Sequence, residues 1–199
     1  MKGSLIIVGF FVLGTICGVC HLLPFDIAET NISYYALCAL MFSVGLSVGN
    51  DPQTLKNFRS LNPRLIFLPI MTILGTLAGS AAVSLILTHR SITDCLAVGS
   101  GFGYYSLSSI FITEYKGAEL GTIALLANIS REILTLLAAP LLVRWFGNLA
   151  PISAGGATTM DTTLPIITRT AGQQFVVVSI FHGFVVDFSV PFLVTLFCS

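Results

Sequence analysis

The sequence predicts an all-α polytopic membrane protein with about seven membrane segments, two of them discontinuous or re-entrant. Hydrophobic residues make up 55% of the 199 residues and charged residues only 9%, whereas a soluble domain has roughly one quarter charged residues. Uncharged apolar runs of membrane-spanning length recur along the chain. Two further apolar segments are interrupted by glycine or proline, which are unfavourable inside helices.

Composition and motifs also exclude several classes of protein. The formal net charge is zero, so no electrostatic field attracts nucleic acid. The five cysteines lie in or beside apolar runs, and their odd number argues against a disulfide framework. The Cys17-x-x-Cys20 spacing has no βαβ context, so redox chemistry is not expected. With no nucleotide motif, metal cluster or nucleophile elbow, we expect no cofactor, no metal and no enzyme activity.

Five segments predict uninterrupted spanning helices. Their ranges are residues 4–23, 32–49, 65–87, 120–143 and 175–198. Only Arg131, Glu132 and Asp187 place charge inside them. The whole chain is therefore predicted to form one membrane domain, with three spanning helices in residues 1–90 and the broken segments and remaining helices in residues 91–199.

The two broken segments, residues 94–115 and 151–169, predict a binding site. Broken backbone is tolerated at membrane depth only where it is buried in protein or lines a watery cavity. A pair of such interruptions is typical of the substrate site of a secondary transporter. The alternative is ordinary close packing of membrane helices through small residues. The candidate site residues are Ser100, Gly101, Tyr104, Tyr105, Ser106 and Ser108 in the first segment and Thr158, Thr159, Asp161 and Thr163 in the second.

Glu132 is the most informative single residue. It lies 12 positions after Leu120 and 11 before Val143, near the bilayer midplane, where a charge costs about 2.5–3.5 kcal/mol. Asn128 shares its helix face. Desolvation disfavours the charged form of a carboxyl group, so an acid placed here can exchange a proton. Arg131 points about 100° away and needs an acidic or carbonyl partner.

A purely structural role for these charges is the alternative. Glu132 would then form an ion pair with Arg169, or Arg131 would pair with Asp161. We expect Asp161 either to line the cavity or to cap a half-helix.

Two further candidates lie on the last helix. Asp187 is on a stripe with Ser179, Gly183 and Pro191, so it is predicted to face protein rather than lipid. His182 is a candidate because an unperturbed histidine side chain titrates near neutral pH. For His182, the alternative is a hydrogen-bonded packing residue.

The distribution of basic residues predicts an orientation. If every segment crosses the membrane, one side receives Lys2, Lys56, Arg59, Arg64, Lys116 and Arg169, and the other receives Arg90 and Arg144. The first set is predicted to face the cytoplasm. A segment that re-enters instead of crossing reverses every later assignment.

Several ordered motifs resemble those of the LysO-type bacterial lysine exporter family. They are Gly99-Ser-Gly-Phe-Gly-Tyr-Tyr-Ser-Leu-Ser108, Ser130-Arg131-Glu132, Gly156-Ala-Thr-Thr-Met-Asp161 with Leu164-Pro165, and His182-Gly183-Phe184. The resemblance covers nearly the whole chain and is greatest after Asp94. It implies a multi-pass protein of the bacterial inner (cytoplasmic) membrane that exports L-lysine and its analogues by proton antiport. It also implies an inverted-repeat fold with crossing helices, in which Glu132 is the essential glutamate.

The resemblance and the broken segments together predict a mechanism. Glu132 would bind the substrate ammonium group and a proton alternately, while half-helix N-termini hold the substrate carboxylate. Members of this family usually carry an additional N-terminal unit of about three helices, which is lacking here. A separate small membrane subunit, a homo-oligomer or both are therefore expected. The alternative functions are a monovalent cation/proton antiporter and a non-transporting subunit of a membrane complex.

Overall fold

The computed structural model describes residues 63–87 and 89–199, together with Leu13, Ile16, Cys17 and Tyr35. The chain divides into two compact units, Met1–Asn50 and Asp51–Ser199, and the second contains every element given below. The spanning helices predicted at residues 4–23 and 32–49 lie almost wholly outside the described residues. The predicted positions of Lys2, Lys56 and Arg59 lie outside them as well.

The described part of the second unit is all-helical, without a strand. Its α-helices are α1 (Phe67–Ile86), α2 (Ile92–Gly99), α3 (Tyr105–Lys116), α4 (Ala118–Phe146), α5 (Ala150–Gly155), α6 (Leu164–Ala171) and α7 (Val176–Cys198). Three 3₁₀ segments accompany them: Pro63–Ile66 before α1, Gly156–Met160 after α5 and Gln173–Phe175 before α7.

Three helices in the described part are long and apolar enough to cross a membrane. They are α1, α4, and α7 with the 3₁₀ turn that precedes it. Their outer faces expose large apolar side chains such as Met71, Leu137 and Leu196, which suits contact with lipid rather than water. The predicted spans at residues 65–87, 120–143 and 175–198 are confirmed as helices of an integral membrane protein.

Helices α2 and α3 form a hairpin, named hairpin A (residues 92–116). The chain reverses at Phe102 and Gly103, which both have left-handed backbone angles (φ 46° and 95°). At the open end, Lys116 Nζ lies 3.8 Å from Asp94 Oδ1, so the end of α3 lies beside the start of α2.

A second ion pair, between Arg90 and Glu119, joins the residues just before and just after hairpin A. The two ion pairs bring Arg90 and Lys116 to the same end of hairpin A, whereas the predicted arrangement in which every segment crosses places them on opposite sides. Within the described structure, residues 94–115 fold back on themselves.

Helices α5 and α6, with the 3₁₀ turn between them, form hairpin B (residues 150–171). Its two ends meet in one apolar cluster, in which Ile152 of α5 packs with Ile167 and Ala171 of α6 and with Val178 of α7. Val143, in the last turn of α4, packs against this cluster. Hairpin A opens at the first turn of α4, where Glu119 lies, and hairpin B opens at its last turn. The open ends of the two hairpins are thus about 40 Å apart along the 29-residue helix.

The tips of the two hairpins meet. The Ala157 N–H donates to the Phe102 carbonyl oxygen at 2.9 Å. A Cβ atom on Gly156 would lie 2.2 Å from that oxygen, and one on Gly103 would lie 3.2 Å from the Gly155 carbonyl oxygen. Glycine is required at this contact because the two backbones touch directly.

Candidate functional site

Asn128 of α4 holds the tip of hairpin A. Its side chain is 3% exposed, and its Oδ1 accepts the Gly103 N–H at 2.7 Å. Its Nδ2 donates to the carbonyl oxygens of Ala124 at 2.9 Å and Val98 at 3.3 Å. Val98 belongs to the last turn of α2, whose carbonyl groups lack partners within the helix. The predicted site residue Asn128 is therefore committed to the backbone of the hairpin.

Arg131, one turn further along α4, holds hairpin B. Its Nε donates to the Ala154 carbonyl oxygen at 2.7 Å and its Nη2 to that of Ser153 at 3.0 Å. The guanidinium carbon lies 5.9 Å from the centre of the Phe102 ring, within range of a cation–π interaction. The positive charge thus lies at the carbonyl end of α5, as the helix dipole favours.

The partners of Arg131 are carbonyl groups, one of the two kinds expected from the sequence. Within the described residues Arg131 forms no ion pair, so its alternative pairing with Asp161 is not observed. Its remaining polar contact is weak, from Nη1 to Thr76 Oγ1 at 3.4 Å.

Glu132 differs from both of these neighbours. Its side chain is half-buried and makes neither a hydrogen bond nor an ion pair with any residue that the structure describes. The alternative ion pair with Arg169 is therefore absent. Asn128, predicted to share its face, and Thr135, three residues after it, are both buried, which places Glu132 at the margin of the packed face of α4. It is the acid of this helix with no fixed positive partner in the described structure.

Most of the predicted hydroxyl groups bond to nearby backbone. In hairpin A, Ser100 Oγ donates to Leu96 O at 2.7 Å and Ser108 Oγ to Tyr104 O at 2.8 Å. By contrast, the side chains of Tyr104, Tyr105 and Ser106 make no hydrogen bond within the described residues.

In hairpin B the hydroxyl groups serve the broken backbone. Thr158 Oγ1 donates to Gly155 O at 2.9 Å and lies 3.1 Å from Thr163 Oγ1. Thr159 Oγ1 lies 2.8 Å from the Gly156 carbonyl oxygen. These threonines replace the hydrogen bonds that a continuous helix would supply.

His182 is fully buried in a chain of hydrogen bonds. Its Nδ1 lies 3.2 Å from Thr159 Oγ1 and its Nε2 lies 2.9 Å from Thr72 Oγ1. Thr72 in turn donates to Ser153 Oγ at 3.1 Å. Both ring nitrogens therefore have partners. This matches the alternative in which His182 is a hydrogen-bonded packing residue.

Sequence reasoning missed Thr72 of α1 and Ser153 of hairpin B. A usable signal was present, because Thr72, Thr76 and Ser80 recur at every fourth residue of an otherwise apolar helix. Such spacing places all three on one helix face, towards the protein interior.

Asp187 and Asp161 form a separate acidic group. Gly183, one turn before Asp187, packs so closely that a Cβ atom would lie 2.7 Å from the Met160 nitrogen. Helix α7 therefore lies directly against the residue that precedes Asp161. The two carboxyl groups are within electrostatic range of each other, and both are within range of the Tyr104 hydroxyl.

The polar groups match the dipoles of the half-helices. Asn128 and Arg131 face the carbonyl ends of α2 and α5. Asp187 lies near Tyr104, the residue before α3, and Asp161 comes shortly before α6. Acids at helix N-termini are favourable, and they repel a second carboxylate. The expectation that half-helix N-termini hold the substrate carboxylate stays a prediction.

Two cavities lie along another face of α4 and share Arg131. The larger, about 760 Å³, runs from Arg90 and Asp94 to Asn128 and Arg131 and has mainly apolar walls. The smaller, about 450 Å³, runs from Arg131 to Leu142. The linings of these two cavities do not include Glu132.

The sequence family is decided by comparison with known proteins. The family model described as "Lysine exporter LysO" matches residues 8–198. The chain belongs to this family. A relative from Escherichia coli (strain K12), named "Lysine exporter LysO", is 36% identical over 194 residues, which are 98% of this chain and 64% of that protein. A "Putative lysine exporter" from Haemophilus influenzae is 35% identical over 196 residues, which are 98% of this chain and 96% of that protein.

These matches identify a family of exporters and not of enzymes, so the predicted family and class are confirmed. The chain spans 64% of the length of the E. coli relative. No solved structure matches the chain.

Proposed function

We propose that this protein exports L-lysine and its analogues across the bacterial inner membrane in exchange for protons, with Glu132 as the coupling acid. The names of the two relatives support the substrate. The single observation that supports the coupling role is the position of Glu132, half-buried in a spanning helix and without a partner among the described residues. A coupling acid must be free to change its partner, which a carboxylate fixed in an ion pair is not.

Proton exchange suits the charge of this substrate. Moving one positive charge out against a negative interior costs about 2.3 kcal/mol per 100 mV. The entry of one proton for each exported cation cancels that movement of charge. The proton enters down its own gradient, so the exchange can also drive lysine against a concentration gradient.

We further propose that both hairpins are re-entrant and enter from opposite faces of the membrane. Hairpin A opens at the first turn of α4 and hairpin B at its last turn, so a membrane-spanning α4 separates their open ends. Three spanning helices, two hairpins and the two earlier predicted helices then account for the seven predicted segments.

This topology also fits the distribution of positive charge. Two basic residues, Arg90 and Lys116, lie at the open end of hairpin A. Three others lie at the opposite end, which we therefore assign to the cytoplasm: Arg64, Arg144 and Arg169.

The substrate path is proposed to pass Glu132 and the start of α3. The side chains of Tyr104, Tyr105 and Ser106 have no hydrogen-bond partner in the described structure, so they are available to a ligand. The other predicted hydroxyls and amides, which bond to the hairpin backbones, would shape the site rather than bind the substrate directly. Movement of one hairpin tip relative to the spanning helices would then alternate access to the site.

The test is lysine efflux from proteoliposomes with an imposed proton gradient. Glu132→Gln is expected to abolish proton-driven efflux while leaving the protein folded. The matched control is Glu114→Gln, at an exposed position of α3, which should transport as the wild type does. Efflux by Glu132→Gln that is unimpaired and still driven by protons would remove Glu132 from the mechanism. The same vesicles separate the alternative function, because a cation/proton antiporter would respond to sodium and not to lysine.

Two assemblies are proposed for the working transporter. One is a complex with a small separate membrane subunit, and the other is a homo-oligomer. Co-purification from native membranes distinguishes the two.

A further inference from the structure

Asp187 is largely buried and has no hydrogen-bond or ion-pair partner among the described residues, while its carboxylate oxygens keep some contact with solvent. It lies in the middle of α7 and is only 7% exposed. Burying an uncompensated carboxylate inside a membrane helix is costly, and such residues mark ligand or ion sites. A carboxylate with a purely structural role would be expected to accept a hydrogen bond from the protein.

The backbone carbonyl of the same residue lacks its usual helical donor. Pro191 is inside α7, four residues after Asp187. Proline has no N–H, so the helical hydrogen bond that would end on the Asp187 carbonyl oxygen cannot form. Asp187 therefore presents a carboxylate and a backbone carbonyl without its usual helical donor at one level of the helix. The carboxylate and the carbonyl both accept hydrogen bonds. Neither can donate one while the carboxyl group is ionised.

Two further oxygen groups accompany Asp187, one a carboxylate and one a hydroxyl that can donate as well as accept. The carboxylate of Asp161 and the hydroxyl of Tyr104 lie within electrostatic range. The tight contact of Gly183 with Met160 fixes α7 beside Asp161. Asp161 is exposed, and its Oδ1 accepts the Thr162 N–H at 2.5 Å, which leaves its other oxygen available.

Two positive charges of the described hairpins are already committed to other partners. Arg131 bonds to carbonyl groups at the tip of hairpin B, and Lys116 pairs with Asp94 at the open end of hairpin A. A cation that supplies its own hydrogen-bond donors would complement the two acids. A primary ammonium group has three such donors.

We propose that Asp187, with Asp161 and the Tyr104 hydroxyl, binds the side-chain ammonium group of the transported diamino acid. This assignment rests on the proposed function and gives substrate recognition and proton exchange to two different acids. Asp187 recognises the substrate, and Glu132 exchanges the proton. The site thereby distinguishes lysine from an amino acid of the same length that lacks the terminal amine.

The test compares the binding of L-lysine and L-norleucine to the purified full chain by titration calorimetry. Norleucine keeps the α-amino and α-carboxyl groups and a carbon chain of equal length. The wild type is expected to bind lysine at least tenfold more tightly than norleucine. Asp187→Asn should bring this ratio close to one, and the exposed control Glu114→Gln should leave it unchanged. If Asp187→Asn keeps the wild-type ratio of lysine to norleucine affinity, the proposal is overturned. This holds whether or not lysine binding by that variant still depends on pH.

A second variant covers the case in which Asp187→Asn does not fold. Asp161 is exposed, so Asp161→Asn should fold and should reduce the ratio several-fold. An unchanged ratio in that variant overturns the site. Sodium chloride at matched ionic strength is the competitor that tests for an inorganic cation site. Selective displacement of lysine by sodium, but not by choline, overturns the ammonium assignment.

Failure of this site and failure of the proposed function give different results. A wild-type protein that exports lysine while Asp187→Asn keeps the lysine preference refutes the site alone. A wild-type protein that ignores lysine but binds cadaverine in a manner that depends on Asp187 refutes lysine export and supports the cation site.

Discussion

The Ala157 N–H donates to the Phe102 carbonyl oxygen across 2.9 Å and joins the tips of two hairpins that approach from opposite ends of α4. Beside this bond, Asn128 and Arg131 bind the hairpin backbones from a single turn of α4. The two hairpin tips thus meet through a direct contact of backbone with backbone. Its tightness makes it unusually sensitive to a single added methyl group.

Gly156→Ala should break this contact. The new Cβ atom would lie 2.2 Å from the Phe102 carbonyl oxygen, so the tips must separate. The matched control is Gly147→Ala, because Gly147 also has a positive φ (86°) but nothing lies within 4 Å of the place that its Cβ atom would take. We expect the control to lose about 1 kcal/mol of stability from backbone strain alone, and Gly156→Ala to lose clearly more and to stop transport. Thermal unfolding in detergent and vesicle efflux measure both effects. Equal losses for the two variants would contradict the tight tip contact.

Arg131→Met should destabilise the protein more than removal of any exposed arginine. The substitution leaves the carbonyl groups of Ser153 and Ala154 without donors. Each lost charge-assisted hydrogen bond costs about 1.5–3 kcal/mol, and the loss should appear as a lower melting temperature. Arg144→Met, in the exposed last turn of the same helix, should change it little. A melting temperature of Arg131→Met equal to that control would show that the guanidinium group does not hold hairpin B.

Gly183→Ala should separate α7 from hairpin B. A Cβ atom at residue 183 would lie 2.7 Å from the Met160 nitrogen and 2.8 Å from Thr159 Oγ1. The control is Gly75→Ala on α1, where nothing lies within 4 Å. There, alanine should stabilise the helix by about 0.5–1 kcal/mol. The two variants are therefore expected to shift the melting temperature in opposite directions. A rise in both would place α7 further from hairpin B than the structure shows.

Cysteine labelling should reveal the re-entrant topology. In a variant without its native cysteines, a cysteine at position 114 should react with a membrane-impermeant maleimide added to intact cells. A cysteine at position 144 should react only after permeabilisation. The reason is that residue 114 lies near the open end of hairpin A, whereas residue 144 ends α4 near hairpin B. A topology in which every segment crosses predicts the reverse result at both positions.

The sequence alone predicts the spanning helices because the length of an apolar run can be read directly along the chain. Residues 65–87 and 175–198 needed only a count of apolar residues to be assigned. The glycines of the two broken segments were equally visible. Whether the chain continues or turns back after them depends on a contact between Lys116 and Asp94. No local pattern reports that contact.

The candidate site was predictable only in part, for a related reason. Glu132 and Asp187 were conspicuous as charges inside apolar helices. The partners of Arg131 are backbone carbonyl groups, which every residue carries, so no residue type marks them. The hydroxyl groups of Thr158 and Thr163 suggested substrate ligands, but they bond within hairpin B. Sequence shows which groups are polar, and the three-dimensional contacts decide which of them are already in use.

The neighbouring positions of Asn128 and Arg131 have a mechanical consequence. Because one turn of α4 holds two backbones that approach from opposite directions, a small rotation of this helix about its axis would pull on both at once. Hairpin A and hairpin B would then move together. Neither could move alone without first breaking a hydrogen bond to that turn.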